Sequence, residues 1–353
     1  MSKHKTKILV AMSGGVDSSV AAALLVAKKY DVTGAFMVNY DEPTAGGESC
    51  WTTDYRDAVR VAAKLGIKLI RLDFTKEYKK DVLDYMYKEY EAGRTPNPDV
   101  LCNKFIKFGA WLKKAKELGF DKLATGHYAR IKNLKMIRLL QAKDKDKDQT
   151  YFLHQLAQEQ LRDVLFPIGE YRKPQVRKFA KKFDLPTAEK EESMGICFIG
   201  EVRMEDFLKD KIKSKPGKIA MTDGTVLGEH RGLPFYTIGQ RSVGINADKN
   251  WPVFVVDKNF AKNEVVVGFE EDPLLYKKEA LLKNVNWIIG QTPKFPLKCE
   301  VRLRHRQPLQ KARISELKSE ILVKFTKPQR AITPGQFAVF YKKGECLGGG
   351  VIC

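Results

Sequence analysis

The stretch from Ile8 to Ser19, ILVAMSGGVDSS, constrains the fold more strongly than any other part of the chain. A short apolar run ends in the turn Ser13–Gly15, and an apolar pattern typical of a helix follows. A buried strand, a glycine turn and a helix in this order predict an anion site, because backbone N–H groups and the positive end of the helix dipole face the turn. The two glycines would let a ligand approach the backbone closely.

The same turn excludes the two commonest nucleotide-binding motifs. It lacks the lysine of the G-x-x-x-x-G-K-[ST] loop, and it does not fit the G-x-G-x-x-G fingerprint of dinucleotide sites. The alternative interpretation is purely structural: a glycine turn joins a strand to a helix, and Ser18 caps that helix. The strand–turn–helix context favours the anion site.

The charge of the chain points to a polyanionic partner. Its 353 residues are enough for two or three domains, and 63 Lys and Arg against 43 Asp and Glu give a formal net charge of +20. The segment Leu281–Cys353 holds 14 basic and 4 acidic residues, so half of the excess lies in about a fifth of the chain. A general enrichment in lysine is the alternative, but this uneven distribution favours nucleic acid binding.

Composition also limits the cellular setting and the chemistry. There is no apolar run of membrane-spanning length and no signal-peptide pattern, so we expect a cytoplasmic protein without a membrane partner. The six cysteines include no C-x-x-C pair, which argues against a zinc site and a thioredoxin-like motif. We therefore expect thiols and no metal site of the protein's own.

The pattern of apolar residues divides the chain into three parts. Strands alternate with helices from Lys7 to about Phe120, which predicts an α/β domain with a parallel sheet. Short strands between turns begin near Glu205, and closely spaced strands from Leu282 predict an antiparallel β-barrel. We expect domains at residues 1–205, 206–275 and 276–353, the second a small β-rich connector.

Ligands of parallel sheets bind beyond the carboxyl ends of the strands. The loops that follow Met12, Phe36 and Ala124 should therefore converge on one site. The last of these loops contains Gly126, which would permit close approach of a nucleotide, and His127, which could donate to a phosphate or a base. A histidine that merely satisfies the loop is the alternative.

A second informative stretch, GRTPNPDVLCN, runs from Gly93 to Asn103. Pro96 and Pro98 argue against a helix and predict a rigid, extended loop that holds Asp99 and Cys102 still. A lysine-rich helix is predicted next, and its N-terminus and cations would lower the pKa of the Cys102 thiol. A buried cysteine after a proline turn is the alternative.

Near the end of the chain, the sequence VRLRHRQ reads as a strand. Alternation would then place Arg302, Arg304 and Arg306 on one face, where they could follow a phosphate backbone. The alternative is the charged outer face of a half-buried strand.

Several of these motifs resemble one known family. SGGVDS resembles the loop of the N-type ATP pyrophosphatases, and TPNPDVLCNKFIKF, TGHYAR, DQTYFL, SMGICFI, YTIGQR and TPGQ resemble segments of the tRNA-specific 2-thiouridylases within that superfamily. The motifs occur in the family's order and span nearly the whole chain. The resemblance implies an ATP pyrophosphatase domain, a β-rich connector and a barrel that binds tRNA.

The resemblance also implies a set of site residues. The ATP-binding positions would be Ala11, Met12, Ser13, Gly14, Gly15, Val16, Asp17, Ser18, Met37 and Gly126. The tRNA-binding positions would be Asn97, Pro98, Asp99, His127, Asp148, Gln149, Thr150, Arg304, His305 and Gln336. The catalytic residues would be Cys102 as nucleophile, Cys197 as persulfide carrier and Asp99 as acid or base. The family has Arg-Tyr where this chain has Arg304-His305, which keeps a ring at the second position.

The implied activity is ATP-dependent 2-thiolation of the wobble uridine in the anticodon stem-loop of tRNA. Mg²⁺ would accompany ATP, a sulfur-donor or relay protein would load the persulfide, and the enzyme would act as a monomer. Two rivals stay open: another ATP pyrophosphatase that acts on a small molecule, and a non-catalytic RNA-binding protein. The first leaves the basic C-terminal part and both cysteine segments unexplained, and the intact SGGVDS loop argues against the second.

Overall fold

The computed structural model describes residues 5–41, 49–191, 204–209, 211–241, 243–244 and 252–353. The strands of the first part are β1 (Lys7–Ala11), β2 (Asp31–Val38), β3 (Lys68–Asp73), β4 (Lys122–Ala124), β5 (Ala129–Lys132), β6 (Arg138–Gln141) and β7 (Val164–Leu165). Its α-helices are α1 (Val16–Ala27), α2 (Thr52–Leu65), α3 (Thr75–Tyr78), α4 (Asp84–Glu91), α5 (Pro98–Leu101), α6 (Trp111–Glu117), α7 (Thr150–Leu153), α8 (Gln158–Arg162), α9 (Lys173–Lys182) and α10 (Met204–Lys209). Single π-helical segments join α3 to α4 and α5 to α6, so each pair forms one continuous helical stretch.

The predicted parallel sheet is confirmed, with strand order β3-β2-β1-β4-β7. Leu9 of β1 belongs to the hydrophobic cluster on one face, whereas Ile8 and Val10 belong to the cluster on the other. A strand buried on both faces is apolar at every position, which explains the unbroken run that the sequence shows there.

The connector contains β8 (Gly217–Met221), β9 (Val226–His230), β10 (Phe254–Asn259) and β11 (Glu264–Gly268), in the order β10-β11-β8-β9. Two short 3-10 turns, Leu233–Phe235 and Pro273–Leu275, accompany them. The predicted hairpin of β10 and β11 is confirmed as an antiparallel pair.

The predicted barrel is confirmed as well. Its strands are β12 (Tyr276–Trp287), β13 (Leu297–Arg302), β14 (Gln310–Leu317), β15 (Glu320–Arg330), β16 (Phe337–Lys342) and β17 (Glu345–Ile352). Strand β12 pairs with both β15 and β17, so the antiparallel ring closes and removes its own edges. None of the helices in the described residues is long and apolar enough to cross a membrane.

The barrel and the first domain share one sheet and one core, which the sequence did not predict. Strand β6 pairs with β17, so the β5–β6 hairpin extends the barrel sheet. One hydrophobic cluster contains Tyr151 of the first domain together with Phe337 and Val339 of the barrel. The Tyr151 hydroxyl donates to the carbonyls of Leu303 and Phe337, at 3.2 and 3.1 Å.

A buried ion pair crosses the same junction. Arg302 Nη1 lies 3.2 Å from Asp148 Oδ2, and the two side chains are 8% and 0% exposed. Asp148 also accepts from the backbone N–H of Ala142 and the hydroxyl of Thr150. The interpretation of Arg302, Arg304 and Arg306 as one stripe is therefore wrong, because β13 ends at Arg302 and that side chain turns inward.

We predict that Asp148→Ala lowers the free energy of unfolding by about 3 kcal/mol, because it leaves the Arg302 guanidinium buried without its counterion. Asp146→Ala, an exposed change in the same loop, is the matched control and should alter stability by less than about 0.5 kcal/mol. Scanning calorimetry of both variants measures the difference. Equal unfolding temperatures would contradict the structural role of the pair.

We also predict that stability falls as the pH is lowered. Burial lowers the pKa of His154 to about 4, while its ring contacts Phe337. The unfolded chain takes up a proton near pH 6.5 and the folded chain only near pH 4, so stability is lost across this interval, by about 1.4 kcal/mol per pH unit at most. In urea titrations, His154→Gln should lose less free energy of unfolding than the wild type between pH 6.5 and 4. Above pH 7 the free energy of unfolding should depend on pH in the same way in both proteins. If the free energy of unfolding of His154→Gln falls as steeply as that of the wild type between pH 6.5 and 4, His154 is not the residue responsible.

Candidate functional site

The turn between β1 and α1 is built to leave backbone donors open. Gly15 is the N-cap of α1 and has no side chain with which to cap the first turn. The hydroxyls of Ser18 and Ser19 donate to the Gly15 carbonyl at 3.0 and 2.8 Å, and Ser13 N donates to Ser18 Oγ at 3.2 Å. These serines therefore hold the loop in shape. The N–H groups of the first turn of α1 have no helical partner, which is the geometry that the predicted anion site requires.

Two glycines are required where this loop meets its neighbours. Gly14 has φ +74°, and a Cβ there would collide with the backbone of Asp54 at the start of α2. A Cβ on Gly126 would lie 2.7 Å from the backbone nitrogen of Ser18. The loop after β4 therefore packs directly on the start of α1, which brings Gly126 and the SGGVDS loop together.

Asp17, the acid of the loop, has two partners that the sequence did not predict. Lys173 Nζ lies 2.8 and 2.9 Å from its two carboxylate oxygens, and the Tyr128 hydroxyl donates to one of them at 3.0 Å. The Lys173 side chain is 11% exposed. One feature of the sequence points to this pair. An acid in a loop that is predicted to bind phosphate needs a nearby cation, and Lys173, followed by a proline at the start of a helix, supplies one.

The other predicted nucleotide residues lie at the carboxyl end of the sheet, where Ala11 is half-buried. Met12 and Met37 are both almost inaccessible, and the Met37 carbonyl accepts from Asn39 Nδ2 at 3.0 Å. Ala11 ends β1 and Val16 begins α1. Contact of Met37 with ATP stays a prediction.

The segment around Cys102 differs from the extended loop that its prolines suggested. Helix α5 begins at Pro98, because a proline at the first helical position lacks only an N–H that would have no helical partner. The Asn97 side chain caps it by accepting from Val100 N at 3.2 Å. Asp99 therefore lies in the first turn, and Cys102 follows on the same helical stretch, fully buried.

The barrel reaches this segment through Gln336. Its Nε2 donates to the carbonyls of Thr95 and Pro96, and its Oε1 accepts from Asn97 Nδ2 at 3.3 Å. The structure thus brings together Asn97, Pro98 and Gln336, which sequence analysis placed in one predicted tRNA site although they lie far apart in the chain.

His127 is enclosed by aromatic rings. Its ring centroid lies 5.7 Å from that of Phe108 and 6.1 Å from that of Phe166, and Nδ1 lies 2.8 Å from Thr125 Oγ1. Burial, with a smaller effect from the charge of Lys107, holds the pKa of His127 well below its usual range. The ring is therefore neutral at physiological pH.

The three residues of the DQT segment hold loops together. Gln149 Oε1 accepts from the backbone of Tyr128 at 2.9 Å. Asp148 and Thr150 are inaccessible in this conformation and take part in the buried network with Arg302. Their contact with tRNA stays a prediction.

Arg304 and His305 line a cavity of about 350 Å³ between the connector and the barrel. Its other lining residues are Thr237, Ile238, Gly239, Gln240, Thr333 and Gln336. Arg304 Nη2 donates to the Ala331 carbonyl at 3.0 Å, and the His305 ring lies 4.5 Å from that of Phe152. Burial, and then the charges of Arg306 and Arg302, lower the pKa of His305 to about 4. The cavity thus lies where two predicted tRNA-binding residues of the barrel meet the connector.

Cys197 lies outside the described residues, so its position relative to Cys102 stays a prediction. The chain is described up to residue 191 and again from residue 204. On the first side, Lys190 Nζ binds Asp54 and Asp57 at 2.7 and 2.6 Å, which ties the chain to the helix that packs on Gly14.

In the described parts of the chain, no group of three or more His, Cys, Asp or Glu is arranged to bind a metal ion. Mg²⁺ prefers phosphate oxygens and water with few protein ligands, and Asp17, the carboxylate of the loop, is already paired with Lys173. This donor set fits an ion that arrives with a nucleotide.

Comparisons with known proteins give the family. Residues 6–201 match the model of the "tRNA methyl transferase HUP domain", residues 205–269 its PRC-barrel domain, and residues 277–352 the "Aminomethyltransferase beta-barrel domain". A 4-thiouridine synthetase in complex with RNA and ATP superposes with a TM-score of 0.35 at 17% identity, covering 59% of this chain and 50% of that one. At that TM-score the likeness supports no functional inference.

Two curated relatives are similar over almost their whole length. The tRNA-specific 2-thiouridylase MnmA of Halalkalibacterium halodurans is 47% identical over 353 residues, which cover 99% of this chain and 95% of the relative. The protein of the same name from Streptococcus mutans is 47% identical over 356 residues, with the same coverage. The chain therefore belongs to the enzyme family of the tRNA-specific 2-thiouridylases.

Proposed function

We propose that this protein catalyses the ATP-dependent 2-thiolation of the wobble uridine of tRNA. The observation that carries the proposal is the identity of 47%, over nearly the full length, to an enzyme named tRNA-specific 2-thiouridylase. The site geometry agrees with it: the Gly126 loop packs on the anion site of α1, and the barrel contacts the segment that leads to Asp99 and Cys102. The excess of basic residues in the barrel suits an anticodon stem-loop.

In the first step, the C2 oxygen of the extruded uridine attacks the α-phosphorus of ATP. The P–O bond to the β-phosphate breaks, and pyrophosphate leaves. The N–H groups at the start of α1 would hold the pyrophosphate, and Lys173 would balance the added negative charge. Mg²⁺ bound with ATP would neutralise further phosphate charge.

In the second step, sulfur replaces the adenylated oxygen. Cys197 carries it as a persulfide loaded by a donor protein. The Cys102 thiolate either attacks Cys197 Sγ, which expels hydrosulfide and forms a Cys102–Cys197 disulfide, or adds to C2 and forms a covalent intermediate with the base. In the first route hydrosulfide adds to C2, AMP leaves, and a thiol reductant supplies two electrons to reopen the disulfide. In the second route Cys102 displaces AMP from C2, and the terminal sulfur of the Cys197 persulfide then displaces Cys102. A thiol reductant supplies two electrons to cleave the remaining S–S bond, which releases 2-thiouridine and the Cys197 thiol. Asp99 would move the proton.

The direct test measures pyrophosphate release with ATP alone, with unmodified tRNA and with small acceptors. Release that depends on tRNA, followed by formation of 2-thiouridine when a persulfide donor is present, supports the proposal. Release with a small acceptor instead would show a small-molecule ligase. RNA binding without any release would show a non-catalytic binding protein.

We predict that Cys102→Ser and Cys197→Ser each reduce 2-thiouridine formation by about 100-fold or more, because each removes a sulfur nucleophile or carrier. Pyrophosphate release by Cys197→Ser should persist, since adenylation precedes sulfur transfer. Cys353→Ser, at an exposed cysteine, is the control and should act like the wild type. If Cys197→Ser still thiolates at the wild-type rate, Cys197 is not the sulfur carrier.

We predict that Lys173→Met slows tRNA-dependent pyrophosphate release by about 100-fold, because the Asp17 carboxylate then repels the phosphates without compensation. Lys178→Met, an exposed lysine on the same helix, is the matched control. Asp17→Asn should partly restore release in the Lys173→Met background, since it removes the repelling charge. Additive losses in the double variant would show that the ion pair does not act as a unit.

A further inference from the structure

We propose that the barrel turn Thr333–Gln336 is a positioning device for the segment that carries Asp99 and Cys102. The inference rests on the proposed function, because it assumes that this segment performs the chemistry. It assigns to Gln336 a role through the protein backbone, beside the RNA contact that the sequence predicts for it. The turn and the approach segment, Gly93–Asn97, meet at the junction of all three parts of the chain.

The backbone N–H and the backbone carbonyl of Thr95 both form hydrogen bonds to this turn. Thr95 N donates to the Pro334 carbonyl at 2.9 Å, and the Thr95 carbonyl accepts from Gln336 Nε2 at 2.9 Å. The same Nε2 donates to the Pro96 carbonyl at 3.1 Å. A primary amide has two N–H donors, so both donors of Gln336 are used on the approach segment.

Asn97 transmits this arrangement to the helix. Its Nδ2 donates to Gln336 Oε1, while its Oδ1 accepts from Val100 N and caps α5. One side chain therefore connects the barrel turn to the first turn of the helix that contains Asp99. A shift of the barrel turn would displace the cap, and the helix start would move with it.

The barrel turn is itself held firmly. Gly335 N donates to the Ile352 carbonyl at 2.9 Å, and Ile352 N donates to the Gln336 carbonyl at 2.8 Å. These two bonds anchor the turn to strand β17, which is paired on both sides within the barrel. The turn is thus fixed to the barrel independently of its contacts with the approach segment.

The connector contacts the approach segment from another direction. Thr95 Oγ1 lies 3.0 Å from Thr237 Oγ1, and Lys258 Nζ donates to the Gly93 carbonyl at 2.9 Å. The Phe260 ring packs so closely on Gly93 that a Cβ there would overlap it. Four of the five residues that lead to α5 are therefore held by the connector and the barrel together: Gly93, Thr95, Pro96 and Asn97.

The sharpest test moves the turn without removing any side chain that could contact RNA. Gly335 has φ +90°, and a Cβ there would lie 2.9 Å from both the nitrogen and the oxygen of Thr95. Gly335→Ala must therefore push the approach segment. Gly344→Ala is the matched control, because Gly344 has φ +80° in the turn between β16 and β17 and a Cβ there meets nothing within 4 Å.

We expect Gly335→Ala to lower the single-turnover rate of thiolation at saturating tRNA by about 10- to 100-fold, with the dissociation constant for tRNA unchanged within about 2-fold. Gly344→Ala should keep the wild-type rate despite a similar backbone strain. Gln336→Ala should lower the saturated rate to the same extent, and the loss of its own RNA contact should appear separately, in the dissociation constant for tRNA. If Gly335→Ala matches Gly344→Ala, or if Gln336→Ala weakens tRNA binding and keeps the saturated rate, the positioning role is wrong.

A second readout does not need activity. Hydrogen exchange of the peptide that spans Val100–Asn103 should be faster in Gly335→Ala than in the wild type, and unchanged in Gly344→Ala. If the wild type fails to thiolate tRNA, the proposed function is wrong, whereas this exchange difference still reports the mechanical link. Equal exchange in both alanine variants would overturn the link itself.

Discussion

The joint between the first domain and the barrel is the constraint on which the rest of the structure depends. Strand β6 continues the barrel sheet through β17, and the Asp148–Arg302 pair is buried across the same joint. A buried ion pair requires both partners in place, since either charge alone would be strongly disfavoured. The joint therefore allows one relative placement of the two parts, and this placement fixes the positions of the loops between them.

This placement explains why the candidate site has contributions from distant parts of the sequence. The anion site of α1 comes from the first domain, whereas the approach segment beside Cys102 is held by Gln336 of the barrel and Thr237 of the connector. Each part alone would leave one side of the site undefined.

Elements with a strong local cause could be predicted from the sequence. The parallel sheet follows from strands that are apolar at every position, and the barrel from closely spaced short strands. The helix start at Pro98 was missed because the prolines suggested a loop, although a proline is tolerated at the first helical position. Lys173 was missed because 156 positions separate it from Asp17, and no local pattern connects them. The inward direction of the Arg302 side chain was missed for the same reason, because its partner lies in another domain.

The pairing of β17 also bears on how the chain acquires its shape. Arg138 of the hairpin and Glu345 of β17 form an ion pair although 207 positions separate them. Strand β6 is synthesised early and can pair with β17 only after that strand has been synthesised. Pairing across so many residues is slow, because much chain entropy must be lost before the contact forms. Until β17 emerges from the ribosome, the hairpin has no strand to join and the ring stays open. A nascent chain would thus contain the SGGVDS loop long before the barrel beside it is complete.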